Sequence, residues 1–426
     1  AGNDFSTLPN FPAEIRAPVG TLAGVSSFQL QFAAHHVHTP GDQVDVLVAM
    51  NPAALKANIA DLRSGGVLIV DNADFTARNL AKVGYTEDPL TDGSLDDVQV
   101  HAFDLSSLAV GAVAELGLNR REALRTKNMF ALGLLDWLYT RPEAITLNFL
   151  ERKFAHRPAL LAANVAAVKA GYAFGETSEL FHHRYVVPPA PIKAGTYRRV
   201  SGNLALAYGL LAGAAKAGLQ LFLGAYPITP ASDVLHHLAR LKSSGVLTFQ
   251  AEDEIAAVGA AVGASFAGQL GVTATSGPGM ALKAETIGLA VMLELPLIVC
   301  DIQRAGPSTG MPTKTEQGDL NQALFGRPGE APLPVIAAQS PADCFAAAYE
   351  AARIAIEFRT PVILLSDGFL ANSSEPWRVP QLSELPEIHP NFATEPNRPD
   401  GRYWPYLRDE RLARPCAPPG TPGLEH

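Results

Sequence analysis

Two segments that follow strand-like apolar runs combine hydroxyl, acidic and aromatic residues with proline. In Tyr226-Pro227-Ile228-Thr229-Pro230, two prolines fix a rigid turn and hold the Thr229 hydroxyl out as a donor, unless the turn is purely structural. Glu252-Asp253-Glu254 opens a helical pattern. Acidic residues in a first helical turn either complement the helix dipole or provide a carboxyl group for proton transfer.

Two further segments carry groups that bind anions. Thr275-Ser276-Gly277-Pro278-Gly279 lies between a strand pattern and a helix pattern, where free backbone N–H groups suit an anion or a cofactor edge. The loop 303–315 begins Gln303-Arg304 and is rich in glycine and proline. Arg304 either binds a carboxylate through two parallel hydrogen bonds or is a surface arginine on a flexible loop.

These segments belong to a regular alternation of strands and helices in the second half of the chain. Six apolar runs between helical patterns predict a doubly wound α/β domain, in which ligands bind at the carboxyl ends of the strands. The predicted strands are 219–226, 246–250, 272–276, 295–302, 332–338 and 361–367, and the helices among them include 203–217, 253–267 and 280–293.

The first half also alternates, which predicts βαβ units and a parallel sheet. Its strands are 45–50, 65–71 and 98–104, with long helices at 127–139, 142–154 and 159–173. We predict a first α/β domain over 1–180, a proline-containing linker over 181–200, and the doubly wound domain over 201–378. Residues 379–426 are predicted as an extended linker toward a further domain, so the chain is interpreted as a piece of a longer protein.

Composition excludes several classes of protein. The 426 residues are 47% hydrophobic and carry a net charge of −9, which argues against a disordered chain and against electrostatic binding of nucleic acid. Three scattered cysteines exclude a disulfide framework and a self-contained iron–sulfur cluster with four thiolate ligands, and they favour a reducing cytoplasm. No apolar run approaches the 18 residues of a membrane span.

Three groups resemble functional sites but are interpreted otherwise, and no metal site is predicted in this chain. His35, His36 and His38 have no carboxylate or cysteine at ligand spacing, so we expect a surface cluster. The pair 182–183 is expected to be solvated in the linker. Ser366-Asp367-Gly368 resembles the start of the magnesium–diphosphate motif of thiamine enzymes, but the paired asparagine is missing, which favours a strand-end turn.

Together the loop motifs resemble the α subunit of 2-oxoacid:ferredoxin oxidoreductases. YPITP, EDEIAA, TSGPG, QRAGPSTGMPTKTEQGDL and LLSDGFLANSSEPW occur in the order of that family over about 201–377. The first half resembles the family's γ-type domain through PAEIRAP, GVSSFQ, GGVLIVD and KNMFALG, although the Gly-rich opening of that domain is missing. A γ-type domain fused ahead of a pyrimidine-type thiamine diphosphate-binding domain resembles the 2-oxoglutarate-preferring type.

The resemblance implies thiamine-dependent oxidative decarboxylation of a 2-oxoacid to an acyl-coenzyme A and CO2, with electrons passed to ferredoxin. Glu254 is then the carboxyl that shares a proton with the pyrimidine N1′. Arg304 binds the substrate carboxylate, and Thr229 and Thr313 also contact the substrate. The expected cofactor contacts are Tyr226, Pro227, Ile228, Ser276, Gly277 and Pro278.

In the same family, magnesium and a 4Fe–4S cluster belong to a β subunit. The resemblance therefore implies half of an active site, completed in an αβ heterodimer or its dimer. The helix from Glu254 carries Gly259, Gly263 and Gly268, and such small residues let another backbone come close, so we predict that it forms part of the interface.

Other interpretations stay open at this stage. The substrate is 2-oxoglutarate, or pyruvate, or a broad range of 2-oxoacids, because Arg304 accounts only for the carboxylate that all of them share; a second carboxylate needs another basic group, such as Lys314 or a residue of the β subunit. A single-chain thiamine enzyme is disfavoured by the missing diphosphate motif. A nucleotide-binding dehydrogenase lacks its GxGxxG sequence, and a non-catalytic scaffold subunit is the alternative from another class.

Overall fold

The structure is a computed structural model that describes residues 2–12, 25–181 and 183–425. Most of PAEIRAP, and His182 of the predicted solvated pair, therefore lie outside the described residues. The described chain divides into two compact units, one containing residues 2–4 and 25–192 and the other residues 5–12 and 193–425. Residues 5–12 thus belong with the second unit, which the sequence pattern did not indicate.

The first unit is built around a three-stranded parallel sheet with strand order β3-β4-β5. Side chains of β4 alternate between two apolar clusters, because Leu68 and Val70 pack on one face of the sheet while Val67 and Ile69 pack on the other. The elements of the amino-terminal half are β1 (Asp4–Asn10), β2 (Ser27–Ala33), β3 (Val44–Ala49), α1 (Pro52–Asn58), β4 (Leu62–Asp71), α2 (Ala77–Lys82), β5 (Gln99–Phe103), α3 (Leu105–Ala112), α4 (Arg120–Leu124), α5 (Lys127–Leu138), α6 (Glu143–Phe154) and α7 (Pro158–Thr177).

Helices α5 and α7 of the first unit pack backbone to backbone through two glycines. A Cβ atom on Gly133 would lie 2.0 Å from the carbonyl oxygen of Val168, and one on Gly171 would lie 1.9 Å from that of Phe130. Neither position can hold a larger residue without separating the helices. The glycine of KNMFALG is therefore required by packing.

The second unit contains a six-stranded sheet, all parallel, with strand order β11-β12-β10-β9-β7-β8. This sheet confirms the predicted doubly wound domain. Its elements are β6 (Tyr197–Ser201), α8 (Gly202–Lys216), β7 (Leu221–Ala225), α9 (Ser232–Ala239), β8 (Leu247–Gln250), α10 (Glu254–Phe266), β9 (Leu270–Thr275), α11 (Gly277–Leu282), α12 (Ala284–Met292), β10 (Leu297–Gln303), α13 (Leu320–Phe325), β11 (Val335–Ala337), α14 (Asp343–Phe358), β12 (Pro361–Asp367), α15 (Gly368–Asn372) and β13 (Ser374–Arg378).

Helices cover both faces of this sheet. Helices α8, α9 and α14 enclose the larger apolar core on one face, and α10, α11 and α12 enclose a second core on the other. Because both faces are buried, the strands are continuous apolar runs, and all seven residues of β10 and of β12 are buried.

The direction of winding reverses between β7 and β9. From β7 the chain moves to β8 at one edge of the sheet, and it then returns past β7 to β9. Such a reversal leaves a crevice at the carboxyl ends of β7 and β9, where ligands of doubly wound sheets bind. The loops that follow β7 and β9 contain the predicted site residues 226–229 and 276–278.

Three details differ from the sequence pattern. The predicted helix 280–293 is divided at Lys283, which ends α11 and precedes α12. The predicted linker 181–200 contains the start of β6, which pairs with β13 in antiparallel fashion. The segment 379–425, predicted as an extended linker, is nearly free of regular structure, yet Ala413, Cys416 and Leu424 are buried.

Among the helices of the described residues, none combines the length and the apolar character that crossing a membrane requires.

Candidate active site

Glu254 is the first residue of α10, at the carboxyl edge of the sheet. The Asp253 side chain caps this helix by accepting a hydrogen bond of 2.7 Å from the backbone N–H of Ala256. The Glu254 side chain is half-buried and lies over the first turn of α11. A Cβ atom on Gly279 would lie 2.7 Å from the Glu254 Cγ and 2.0 Å from the Thr275 Oγ1. Only glycine at position 279 therefore leaves Glu254 in this place.

The turn from β9 into α11 is buried and incompletely hydrogen-bonded. Ser276 is fully buried, and its Oγ has no hydrogen-bond partner among the described residues. Gly277 lies against Asp319, because a Cβ atom there would be 2.8 Å from both carboxylate oxygens. A buried hydroxyl without a partner at a strand's carboxyl end is an available contact for a ligand.

Arg304 follows β10 and is 9% exposed. Its Nη1 donates a hydrogen bond of 2.7 Å to the carbonyl oxygen of Thr229, and its Nη2 donates one of 2.7 Å to that of Thr309. The buried Nε has no partner among the described residues. Burial lowers the pKa of Arg304, and the nearby Glu254 carboxylate raises it in part. The guanidinium is thus held in place with donor capacity left for an anion.

Thr229 and Thr313 line the same cavity, of about 420 Å³, within the second unit. Thr229 is exposed there. The Thr313 hydroxyl donates a hydrogen bond of 2.7 Å to the carbonyl oxygen of Pro12, and Lys314 Nζ donates to Asn10 and Phe11. Thr313 and Lys314 therefore tie loop 303–315 to the segment after β1, and both side chains already have protein partners.

The three residues before Thr229 have different environments. Tyr226 is 39% exposed and Pro227 is also exposed, so both present their side chains at the carboxyl edge of the sheet. Ile228 packs against the larger apolar core. Its side chain therefore supports the turn from within, and its carbonyl oxygen accepts a hydrogen bond of 2.9 Å from the Ser232 N–H.

A buried lysine adjoins Glu254 and was not predicted from the sequence. Lys283 is fully buried, and its Nζ donates a hydrogen bond of 2.8 Å to the backbone carbonyl oxygen of Glu254. The sequence did contain a signal for this lysine. At helical periodicity, Lys283 lies on the same face as the buried residues Met280, Ile287 and Ala290. A lone lysine on an apolar helix face indicates a buried charge.

A buried carboxyl group that faces a half-buried one was also missed. Asp301 is fully buried within β10, and apart from the facing Asp319 carboxyl no donor of the described residues reaches either of its oxygens. Burial, with the charge of Asp319, raises the pKa of Asp301 well above its usual range, and burial also raises the pKa of Asp319. The two facing carboxyl groups therefore favour sharing a proton over ionising together. The sequence signal was an aspartate inside the apolar strand.

The other predicted non-sites have structural partners. Asp367 caps α15 by accepting from the Leu370 N–H at 2.9 Å, and it also accepts from Gln317, so 366–368 is the expected strand-end turn. His36 contacts Asp4 at 3.2 Å. In the part of the chain that the structure describes, no group of three or more His, Cys, Asp or Glu residues could hold a metal ion.

Comparisons with known proteins place the chain in a family. Residues 212–426 match the family described as pyruvate flavodoxin/ferredoxin oxidoreductase, thiamine diphosphate-binding, and residues 1–174 match the pyruvate ferredoxin/flavodoxin oxidoreductase family. The whole chain is 58% identical to the 2-oxoglutarate oxidoreductase subunit KorA of Mycobacterium tuberculosis, covering 65% of that protein. A second relative is 2-oxoacid:ferredoxin oxidoreductase 1, subunit alpha, of Aeropyrum pernix. The two chains are 35% identical over 287 residues, which are 65% of this chain and 43% of the relative.

A solved structure resembles the entire chain. The 2-oxoglutarate:ferredoxin oxidoreductase of Magnetococcus marinus, with 2-oxoglutarate, coenzyme A and succinyl-coenzyme A bound, matches all of this chain and 68% of its own, with a TM-score of 0.83 and 32% identity. The chain spans less than two thirds of the length of the curated relatives named above. Because the family model matches half of the chain, residues 212–426, the chain belongs to the thiamine diphosphate-binding pyruvate flavodoxin/ferredoxin oxidoreductase family.

Proposed function

We propose that this chain provides the pyrimidine side of the active site in a 2-oxoglutarate:ferredoxin oxidoreductase. The observation that carries the proposal is the placement of Glu254, after β8, and Arg304, after β10, on the two sides of the switch point, with Gly279 leaving room for the Glu254 side chain. The 2-oxoglutarate enzymes among its relatives support the choice of substrate class.

The residues present fit thiamine diphosphate. A half-buried carboxyl over a glycine turn, beside a buried hydroxyl without a partner, provides hydrogen-bonding groups for an aminopyrimidine ring. When bound, the cofactor supplies the carbanion chemistry of 2-oxoacid decarboxylation. Glu254 would exchange a proton with the pyrimidine N1′. Ser276, Gly277, Pro278, Tyr226 and the backbone of Pro227 and Ile228 would line that half of the cofactor.

Arg304 is proposed to bind the 1-carboxylate of the substrate. The two carbonyl groups that hold its guanidinium fix the direction of the remaining N–H donors, which pre-organises the site for a planar anion. Thr229 extends its hydroxyl into the neighbouring cavity, next to the backbone carbonyl that Arg304 binds. Thr313 acts in this scheme by fixing loop 303–315, since its hydroxyl is bonded to Pro12.

The remaining cofactors are proposed to come from a β subunit. Magnesium and a 4Fe–4S cluster lie there, coenzyme A takes up the acyl group, and ferredoxin takes up the electrons. Support for a partner comes from exposed apolar side chains on the helices around the crevice, namely Ile255, Phe266, Leu289, Met292 and Phe325. We place the αβ complex in the cytoplasm, since all three cysteines are free and buried.

We also retain the proposed division into a γ-type domain and a pyrimidine-type domain. The family matches over residues 1–174 and 212–426 support two parts of different origin. The first unit carries the γ-type role, and the doubly wound sheet carries the cofactor.

The test is Glu254→Gln in the full-length protein co-purified with its β subunit. We expect reduction of a viologen dye by 2-oxoglutarate and coenzyme A to fall at least about a hundredfold, the contribution of one proton-transfer group, while the complex stays intact. Unchanged turnover in an intact complex would favour the scaffold alternative. The neighbouring Glu252→Gln, on the exposed side of the same turn, serves as the control and should keep wild-type turnover.

A further inference from the structure

Lys283 is buried in a place that is unfavourable for a cation. It is 0% exposed, and it lies between α11 and α12 on the apolar side of both helices. Removing an ammonium group from water is costly unless charges or hydrogen bonds compensate. Among the described residues, its Nζ donates one hydrogen bond, to the carbonyl oxygen of Glu254 in the first turn of α10, where the helix dipole is positive and repels a cation.

The compensating charges come from the same turn of α10. The Glu254 and Asp253 carboxylates both favour the charged form of Lys283. Arg304 faces Glu254 from the loop after β10. Glu285 of α12 is two residues from Lys283, but its side chain is exposed and contacts Thr286. Glu254 therefore lies near two cations, one buried below it and one across the crevice.

We propose that Lys283 is a positioning residue for Glu254, in which the buried ammonium fixes the first turn of α10 and so holds the Glu254 side chain in place at the crevice. The inference rests on the proposed function, because it concerns the carboxyl group that exchanges a proton with the cofactor. Packing alone does not require a lysine at position 283, since a methionine fills a similar volume without a charge.

A pH dependence follows from this arrangement. Burial lowers the pKa of Lys283 to about 8. Below that pH the ammonium is charged and holds Glu254, and above it the amine is neutral and the carboxylate loses one of its two cations. Turnover should therefore fall as the pH rises through about 8, and the fall should disappear when the lysine is replaced.

The experiment compares wild type with Lys283→Met and Lys283→Gln in the full-length complex with the β subunit. Lys242→Met, a lysine exposed on the surface of the same unit, is the matched control. Thiamine diphosphate affinity is measured by calorimetry with magnesium, turnover is measured from pH 6 to about 9.5, and thermal unfolding is recorded for each variant.

Lys283→Met is expected to weaken thiamine diphosphate binding about tenfold to a hundredfold, the loss expected for one charged hydrogen bond. Lys283→Gln keeps a donor for the Glu254 carbonyl, so it should fold even where the methionine variant does not, and its turnover should lack the alkaline fall. The control should match wild type in all three measurements.

A folded Lys283→Met or Lys283→Gln complex with wild-type affinity and an unchanged alkaline fall would overturn the positioning role. Lower thermal stability alone, with the same affinity and pH profile, would also overturn it, because Lys283 would then be structural only. A wild-type complex that binds no thiamine diphosphate would instead refute the proposed function itself, so the two failures are distinguishable.

Discussion

Replacing Gly279 by alanine tests the geometry of the site with a single methyl group. The added Cβ would lie 2.7 Å from the Glu254 Cγ, about 0.8 Å closer than the shortest comfortable carbon–carbon contact. It would also lie 2.0 Å from the Thr275 Oγ1, on a fully buried residue of β9 that cannot easily retreat. The first turn of α11 must therefore shift away from β9, and the half-buried Glu254 side chain must move with it.

The magnitude follows from the size of that displacement. A misplacement of about 1 Å at a reacting group can lower turnover by roughly a hundredfold, or about 2.7 kcal/mol in the activation barrier. Overpacking should also lower the free energy of unfolding by about 1–3 kcal/mol. Turnover by viologen reduction, expressed per folded complex, separates the two effects.

Gly288→Ala on α12 is the matched control, because nothing lies within 4 Å of its Cβ position. It should leave turnover unchanged and stabilise the helix by up to about 1 kcal/mol. Wild-type turnover in a folded Gly279→Ala complex would show that the position of Glu254 does not matter for the reaction, and the proposed role of Glu254 would be wrong.

Three further predictions concern the rest of the crevice. Arg304→Lys should raise the KM for the 2-oxoacid about tenfold to a hundredfold, because a lysine cannot bind a carboxylate through two parallel hydrogen bonds. An unchanged KM in steady-state kinetics would contradict this role. Gly263→Val should fold normally, since nothing lies within 4 Å of that position, yet weaken association with the β subunit, which gel filtration would detect. The folded protein holds a proton on Asp301 that the unfolded chain releases, so the free energy of unfolding should decrease as pH rises above the usual range of a carboxyl group. Asp301→Asn should reduce that slope in denaturant titrations, whereas an unchanged slope would place the proton elsewhere.

The sheet could be predicted from the sequence because its strands are buried on both faces. Each of the six apolar runs in the second half became a strand, within a few residues at either end. Such runs are short, are bounded by glycine, proline or charged residues, and alternate with helices, so local pattern and tertiary structure agree. The loops after the strands were then placed at one edge by topology alone.

The partners of individual side chains could not be predicted in the same way. The Thr313 hydroxyl bonds to Pro12, which is 301 residues earlier in the chain, and no local pattern indicates such a contact. Arg304 could be singled out from its own loop, but the two carbonyl groups that orient it lie on different loops. These contacts exist only after the sheet has brought the loops together.

Lys283 illustrates a different difficulty. The segment 280–293 is a continuous helical pattern, and a single lysine within it is ordinarily read as an exposed residue. The division of the helix at this residue, and the contact with the first turn of α10, reverse that interpretation. A charged residue at a position of apolar periodicity is therefore a useful signal, both here and for Asp301 in β10.

The most direct test of the central proposal is viologen reduction by the full-length protein with its β subunit and coenzyme A, comparing 2-oxoglutarate with pyruvate. We predict rapid reduction with 2-oxoglutarate and little with pyruvate. Equal rates would keep the reaction but make the enzyme a broad 2-oxoacid oxidoreductase. No reduction with either substrate, from a complex loaded with thiamine diphosphate and the iron–sulfur cluster, would contradict the proposed function.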